Sequence, residues 1–296
     1  MAINDSITVK SFAKINWTLD VLFRREDGYH EIRTIYQTVS LHDRLHLSET
    51  GDAIEIVCDV AAVPADENNL VYKAAARLRG EAGINRGARI EIEKRIPVAA
   101  GLGGGSSNAA TALLGLARLW KINIDERAMT EIAASLGSDV PFFLLGGTAL
   151  GVGRGEEVYP LEEVECDYLV LANPGIAVST AAAYEKLSRL TRSEAARIIP
   201  FSLMAAKAIR DLPLRARNDF EEVVLIAHDE IAGLKTRLTE AGARQALMSG
   251  SGATVFGVFD NLEASERAIK ELRAAGIWAE RAHAIKRKEY QSALFE

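Results

Sequence analysis

Apolar and polar positions alternate with period two near the start of the chain. Ala13, Ile15, Trp17, Leu19 and Val21 are interleaved with Phe12, Lys14, Asn16, Thr18 and Asp20. This spacing predicts a strand with one mostly polar face, on which Lys14 and Asn16 project to the same side. Arg24 to Gly28 reads RREDG, and its Asp-Gly pair predicts a turn into a second extended run from His30 to Val39. Further strands are expected from Arg44 to Leu47, from Ala53 to Val60 and from Ala88 to Ile96, with a helix from Asn69 to Arg79.

Between the strand ending at Ile96 and an alanine-rich helical pattern from Ala109 to Trp120 lies Pro97-Val98-Ala99-Ala100-Gly101-Leu102-Gly103-Gly104-Gly105-Ser106-Ser107-Asn108. Glycines let a backbone turn through positive φ and approach a ligand closely, so that its N–H groups can face phosphate oxygens. A following helix adds free N–H groups and the positive end of its dipole. The segment has neither the lysine of a P-loop nor a complete dinucleotide fingerprint, since Gly101-x-Gly103-x-x-Ser106 lacks the third glycine. A plain turn before a helix is the alternative, but four glycines in five residues would be an entropically wasteful one.

Beyond this loop, Asp125 is expected to cap a helix that runs to Leu136 and ends at Gly137. Ser138-Asp139-Val140-Pro141 then makes a short connection, and Gly146 to Gly155 reads as a tight turn with adjacent strands. The texture changes near Tyr159 to Asp167. A strand from Tyr168 to Ala172, several helices between Thr180 and Ala241, and strands from Gln245 to Met248 and from Thr254 to Phe259 follow. The last two flank Ser249-Gly250-Ser251-Gly252, either a hairpin turn or a second glycine–hydroxyl loop, and the two loops are expected to line opposite walls of a cleft. A helix from Leu262 to Ala275 and a strand from Trp278 to Ala284 close the chain and suggest an open-faced α/β second domain. For 296 residues, two domains over 1–160 and 161–296 are expected.

Composition narrows the chemistry. A net charge of −6 offers no general attraction to nucleic acid or to an anionic membrane. Met1 to Lys10 has no basic segment followed by an apolar run, and no stretch is long enough to span a bilayer, so a cytoplasmic protein is expected. Cys58 and Cys166 stand alone, and His42 and His46 fall at i, i+4 of a strand, where they read as same-face residues rather than metal ligands. Taken singly, Lys14 reads as a solvated lysine, Asp139 as a cap or turn aspartate, and Tyr29-His30 as strand-edge residues.

Four blocks in order, SFAKINWTLDVLFRREDGYHEI, IPVAAGLGGGSSNAA, LGSDVPFFLLGG and MSGSGATVFG, resemble the GHMP small-molecule kinases over residues 11–260. GLGGGSSNAA and AKIN…DGYH set the chain apart from the homoserine, mevalonate and galactose kinases of that family, whose glycine loops typically read GLGSS. The resemblance implies an α+β fold of two domains, ribosomal-protein-S5-like then ferredoxin-like, with the active site in the cleft between them. It also implies an ATP-dependent kinase acting on the 2-hydroxyl of 4-diphosphocytidyl-2-C-methyl-D-erythritol, in non-mevalonate isoprenoid precursor biosynthesis. The alternatives are another GHMP kinase, of homoserine or mevalonate type, and a non-catalytic nucleotide-binding relative.

Residue by residue, the resemblance implies that Pro97 to Ser107 hold the ATP phosphates, with Asn69 near the adenine. Asp139 would orient and deprotonate the attacking hydroxyl, Lys14 would polarise that hydroxyl or steady the carboxylate, and Asn16 would support the substrate. Tyr29 and His30 match positions that bind the cytosine ring, and Gly250 and Ser251 would close the phosphate end of the cleft. Mg2+ would be held mainly through the ATP phosphates. Ala99 and Ala100 stand where relatives often carry glycine. The implied partners are ATP and a cytidine diphosphate-linked polyol, with the protein a monomer or homodimer.

Overall fold

The computed structural model of the chain describes residues 6–189, 212–214 and 216–296. The first five residues of the expected start, and much of the helical stretch expected between Thr180 and Ala241, lie outside them. The period-two segment is the middle of a strand, β1 (Ser6–Arg24), that turns at Gly28 (φ 86°) into β2 (His30–Thr50). The strand expected from Arg44 to Leu47 is the continuation of β2, because register shifts carry the pairing onward: Phe12 opposes His42 while Ala13 opposes Val39. His42 and His46 share this strand and have separate partners, the Ser40 carbonyl for one, and Thr8 and Glu93 for the other.

A further shift between Asn16 and Thr18 changes which side chains share the face of Lys14. Lys14, Asn16 and then Leu19 line one cavity, so the alternation read from the sequence does not persist through Trp17. The face is not solvated either. Lys14 is 3% and Asn16 1% exposed, since both faces of the strand are covered from Ser11 to Val21.

β3 (Ile54–Cys58) and β4 (Gly87–Glu93) extend this sheet, with α1 (Leu70–Glu81) between them in sequence. Asn69 caps α1 through its side-chain oxygen. α2 spans Gly104–Leu119 and begins five residues before the alanine run that marked it in the sequence, so Gly104, Gly105, Ser106 and Ser107 belong to the helix. Glycine's low helix propensity hid that start. α3 (Glu126–Leu136) follows its Asp125 cap, and a short α4 (Phe142–Leu145) leads into the hairpin of β5 (Thr148–Val152) and β6 (Glu157–Pro160).

The second sheet contains β7 (Leu169–Asn173), followed by α5 (Thr180–Arg189). A two-residue strand, β8 (Arg217–Asn218), returns to the first sheet beside β1. Then come α6 (Glu221–Ala227), α7 (Asp229–Glu240), β9 (Gln245–Met248), β10 (Val255–Val258), α8 (Leu262–Ala274) and β11 (Trp278–Ala282). Neighbours in the spatial order β11-β7-β10-β9 are all antiparallel, which is the ferredoxin-like arrangement.

This sheet is not open-faced. Leu171, Leu247 and Phe256 on one side pack with Ala13, Ile15 and Trp17 of β1, with Trp17 edge-on to Phe256 at 5.4 Å. Helices cover the other side. The chain also does not end with β11: α9 (Arg287–Ala293) folds back on the first sheet, where Tyr290 is buried beside Phe12 and its hydroxyl donates to the Phe143 carbonyl oxygen.

Candidate active site

Two cavities of about 730 and 350 Å3 lie against the glycine loop, and Ala99, Gly101, Gly103 and Ser106 line both. The loop is therefore their common wall. Its backbone takes left-handed conformations at Ala99 (φ 53°), Gly101 (φ 79°) and Gly103 (φ 69°). Ala99 bears this conformation with a Cβ, which is strained for an L-residue. Gly103 has no room for a side chain: a Cβ there would stand 2.8 Å from the Phe143 ring and 3.0 Å from Lys14 Cγ.

The smaller cavity takes Pro97, Val98 and Ala100 from the loop, Gly104 and Gly105 from the first turn of α2, and Asn69 from the cap of α1. The N–H groups at the start of α2 have no carbonyl one turn back and are available to a ligand. Two expected loop residues face elsewhere. Leu102 is buried in the core between the sheets. The Ser107 hydroxyl is fully buried and donates to the Phe12 carbonyl oxygen at 2.6 Å, so its side chain ties α2 to β1.

The larger cavity brings Lys14, Asn16, Tyr29, His30, Asp139, Gly250 and Ser251 together. Lys14 Nζ lies 3.4 Å from Asp139 Oδ2 and donates to Asn16 Oδ1 at 2.8 Å. An ammonium has three hydrogens, so one remains for a phosphate or hydroxyl oxygen. Asn16 is fixed in turn through Thr34 at 2.7 Å. Asp139 follows α3 on the short connection that Gly137 opens, with its side chain about one-third exposed. The loop Ser249 to Gly252 does not stand across from the glycine loop. It adjoins it, with Ser249 Oγ donating to the Gly101 carbonyl oxygen at 3.0 Å, so the two form adjacent walls.

The far end of this cavity is aromatic. His30 stacks on Tyr184 of α5 with ring centroids 4.8 Å apart, and its Nε2 is buried with no hydrogen-bond partner among the described residues. Burial lowers the His30 pKa, and Arg24 lowers it further. Tyr29 is 55% exposed at the turn, with the Arg154 guanidinium 4.8 Å from its ring centroid.

Two residues that the sequence reading passed over belong to the site, Tyr184 and Tyr36. The Tyr36 hydroxyl donates to Asp139 Oδ1 at 2.9 Å. Burial, and then the Asp139 charge, hold its pKa well above the ordinary phenol value. The register sets Tyr36 opposite Asn16, on the face of Lys14; a simple count inward from the Arg24–His30 pair misses the bulges and sets it opposite Thr18, but still on the even-numbered face. No comparable signal marked Tyr184, which reaches the site only through the docking of α5.

Comparison with known proteins decides the family. Residues 69–147 match the GHMP kinases N terminal domain and residues 204–277 the GHMP kinases C terminal domain. A 4-diphosphocytidyl-2-C-methyl-D-erythritol kinase of Geobacter sulfurreducens is 42% identical over 92% of this chain and 97% of its own length. The chain belongs to the GHMP kinases, among the 4-diphosphocytidyl-2-C-methyl-D-erythritol kinases. Another such kinase, from Syntrophus aciditrophicus, is 40% identical over 92% of this chain and 97% of that protein. A crystal structure of a 4-(cytidine 5'-diphospho)-2C-methyl-D-erythritol kinase superposes with a TM-score of 0.77 at 35% identity, over 94% of this chain and 99% of that one. The homoserine kinase of Cytophaga hutchinsonii, at 19% identity and a TM-score of 0.73 over 98% of each chain, shares the fold. As a GHMP kinase, the enzyme uses ATP as a substrate. Among the described residues, no helix is long and apolar enough to cross a membrane.

Proposed function

We propose that the enzyme transfers the γ-phosphoryl group of ATP to the 2-hydroxyl of 4-diphosphocytidyl-2-C-methyl-D-erythritol, giving the 2-phosphate and ADP for isoprenoid precursor synthesis. The observation that carries this reading is the Lys14–Asp139 pair beside a glycine loop that two cavities share. The smaller cavity takes ATP, with Asn69 near the adenine and the loop and first-turn N–H groups around the phosphates. The larger cavity takes the cytidine substrate. Its base lies between Tyr29 and the His30–Tyr184 stack, where the unpartnered His30 Nε2 meets the polar edge of the cytosine, and its diphosphate lies near Gly250 and Ser251.

Phosphoryl transfer goes through a loose transition state in most analyses, so alignment and charge stabilisation outweigh the strength of the base. Asp139 keeps lone pairs free beside the bonds from Tyr36 and Lys14, aligns the hydroxyl and accepts its proton late in the transfer. The remaining Lys14 hydrogen meets the incoming phosphoryl oxygen or the substrate hydroxyl. The Ser106 hydroxyl and the Asp139 carboxylate are hard oxygen donors lining the same cavity, as Mg2+ requires. Bound there with ATP, Mg2+ would neutralise phosphate charge. The enzyme works in the cytoplasm on small molecules, as a monomer or homodimer.

A coupled ADP-release assay comparing the diphosphocytidyl substrate with mevalonate, homoserine and galactose tests the assignment. Turnover confined to the diphosphocytidyl substrate is expected, and preference for another alcohol would overturn it.

A further inference from the structure

Both ends of the glycine loop are fastened to one carboxylate. Asp43, on β2, is fully buried. Its Oδ1 accepts the backbone N–H of Arg95 at 2.7 Å and that of Ile96 at 2.9 Å, immediately before the loop. Its Oδ2 accepts the side-chain amide of Asn108 at 2.9 Å, in the second turn of the helix α2 that follows the loop, and also the Lys94 ammonium. Lys94 is itself nearly buried and lines the smaller cavity. Its Nζ stands 3.2 Å from where a Cβ on Gly104 would be, below the first turn of α2.

The middle of the loop is held by different groups. The Lys14 N–H donates to the Leu102 carbonyl oxygen at 3.0 Å, and the Thr254 N–H to that of Ala100 at 3.1 Å. A loop with left-handed residues at 99, 101 and 103 keeps its shape only where the surroundings over-determine it. A buried ion pair is a weak source of net stability compared with an apolar pair of similar volume. This one instead supplies direction, since its four donors come from the strand side and the helix side of a single loop.

We propose that Asp43 is a positioning residue for the nucleotide. It fixes the two ends of the glycine loop to β2, so that the loop and first-turn N–H groups are aimed at the ATP phosphates before ATP arrives. It also holds the Lys94 ammonium against the cavity floor. The proposal rests on the assignment of the smaller cavity to ATP. It predicts a defect in nucleotide binding that is separate from any loss of folded protein.

Binding of a non-hydrolysable ATP analogue with Mg2+, measured by titration calorimetry, tests this without an acceptor substrate. Asp43→Asn keeps the shape and the two backbone bonds but sets amide hydrogens against Lys94 and Asn108. It is expected to bind the analogue about tenfold or more weakly, the scale of one charged hydrogen bond, with the KM for the diphosphocytidyl substrate within about twofold. The double variant Asp43→Asn/Lys94→Met removes the uncompensated charge, so its Tm should recover while its analogue affinity stays below that of Lys94→Met alone. Asn108→Ala, which leaves Asp43 its other three donors, should weaken analogue binding by a smaller factor, and it carries the test if Asp43→Asn does not fold. Unchanged analogue affinity, equal weakening of both substrates, or an affinity of the double variant equal to that of Lys94→Met would each overturn the proposal. If the wild-type protein itself fails to bind the analogue, the ATP assignment falls and this proposal with it. If the wild type binds and the acceptor proves to be another alcohol, the proposal stands.

Discussion

The Tyr36 hydroxyl and Lys14 ammonium approach the Asp139 carboxylate from different oxygens, at 2.9 Å to Oδ1 and 3.4 Å to Oδ2. The phenol pKa is held well above its ordinary value, so Tyr36 remains a donor throughout the working pH range. Tyr36→Phe keeps the ring that stacks on Phe142 at 4.8 Å and removes only that donor. We expect kcat to fall about tenfold, with both KM values little changed, as for the loss of one hydrogen bond to a charged group. Steady-state kinetics check this, and a change confined to either KM would assign Tyr36 to substrate binding instead.

The carboxylate itself should matter more. Asp139→Asn keeps the size of the side chain and can still accept from Tyr36, but it is a poor proton acceptor and presents no charge to Lys14. A loss of about two to four decades in kcat is expected, the usual range for removing a general base. Lys14→Met should give a comparable loss. Because Lys14 and Asp139 are in contact, the double variant is expected to be far less impaired than the product of the single losses. Fully multiplicative losses would show that the two side chains act independently.

Much of this site could be read along the chain, and what escaped has definite causes. The Asp125 cap, the Asp-Gly turn before Tyr29 and the glycine loop are local signals, and each stands where local chemistry puts it. The start of α2 was hidden because Gly104 and Gly105 are poor helix formers, held helical by their surroundings. Ser107 shares a motif with Ser106 but stands about 100° further round the helix, where its hydroxyl meets β1. Lys14 looked solvated because a strand's sequence does not reveal that a second sheet and a loop will cover both of its faces. Tyr184 depends on how α5 docks, and α9 on a return of the chain to the first sheet. Both are tertiary events with no periodicity of their own.

Gly101 should tolerate no side chain. It combines a left-handed φ of 79° with a Cβ position that collides with the Ser249 carbonyl oxygen, which is backbone and cannot swing aside. Gly101→Ala is expected to cost about 1 to 3 kcal/mol of stability and, since Gly101 lines both cavities, to raise both KM values. Gly105 gives the control. A Cβ there meets only Leu70 Cδ1 at 3.9 Å and the residue is helical, so Gly105→Ala should be neutral or stabilise by up to about 1 kcal/mol. Urea unfolding of the two variants makes the comparison, and equal destabilisation would remove the steric argument.

His30 should make stability depend on pH in a definite direction. Burial lowers its pKa below the ordinary 6.5, with Arg24 adding to the effect. Between its folded and unfolded pKa values, the unfolded chain takes up a proton that the folded chain refuses. The unfolded state therefore binds more protons in that window, and stability falls as the pH drops below about 6.5 and is insensitive to this group above it. Urea midpoints at pH 7.5 and 5.0 should diverge more for the wild type than for His30→Asn, which has no titrating ring. Protonation also makes Nε2 a donor, so acidification should raise the KM for the diphosphocytidyl substrate if that nitrogen accepts from the base. An equal pH dependence of stability in the wild type and His30→Asn would mean that the ring is not desolvated in the folded protein. A KM that stays flat down to a pH at which the folded His30 ring is seen by NMR to be protonated would remove Nε2 as the acceptor.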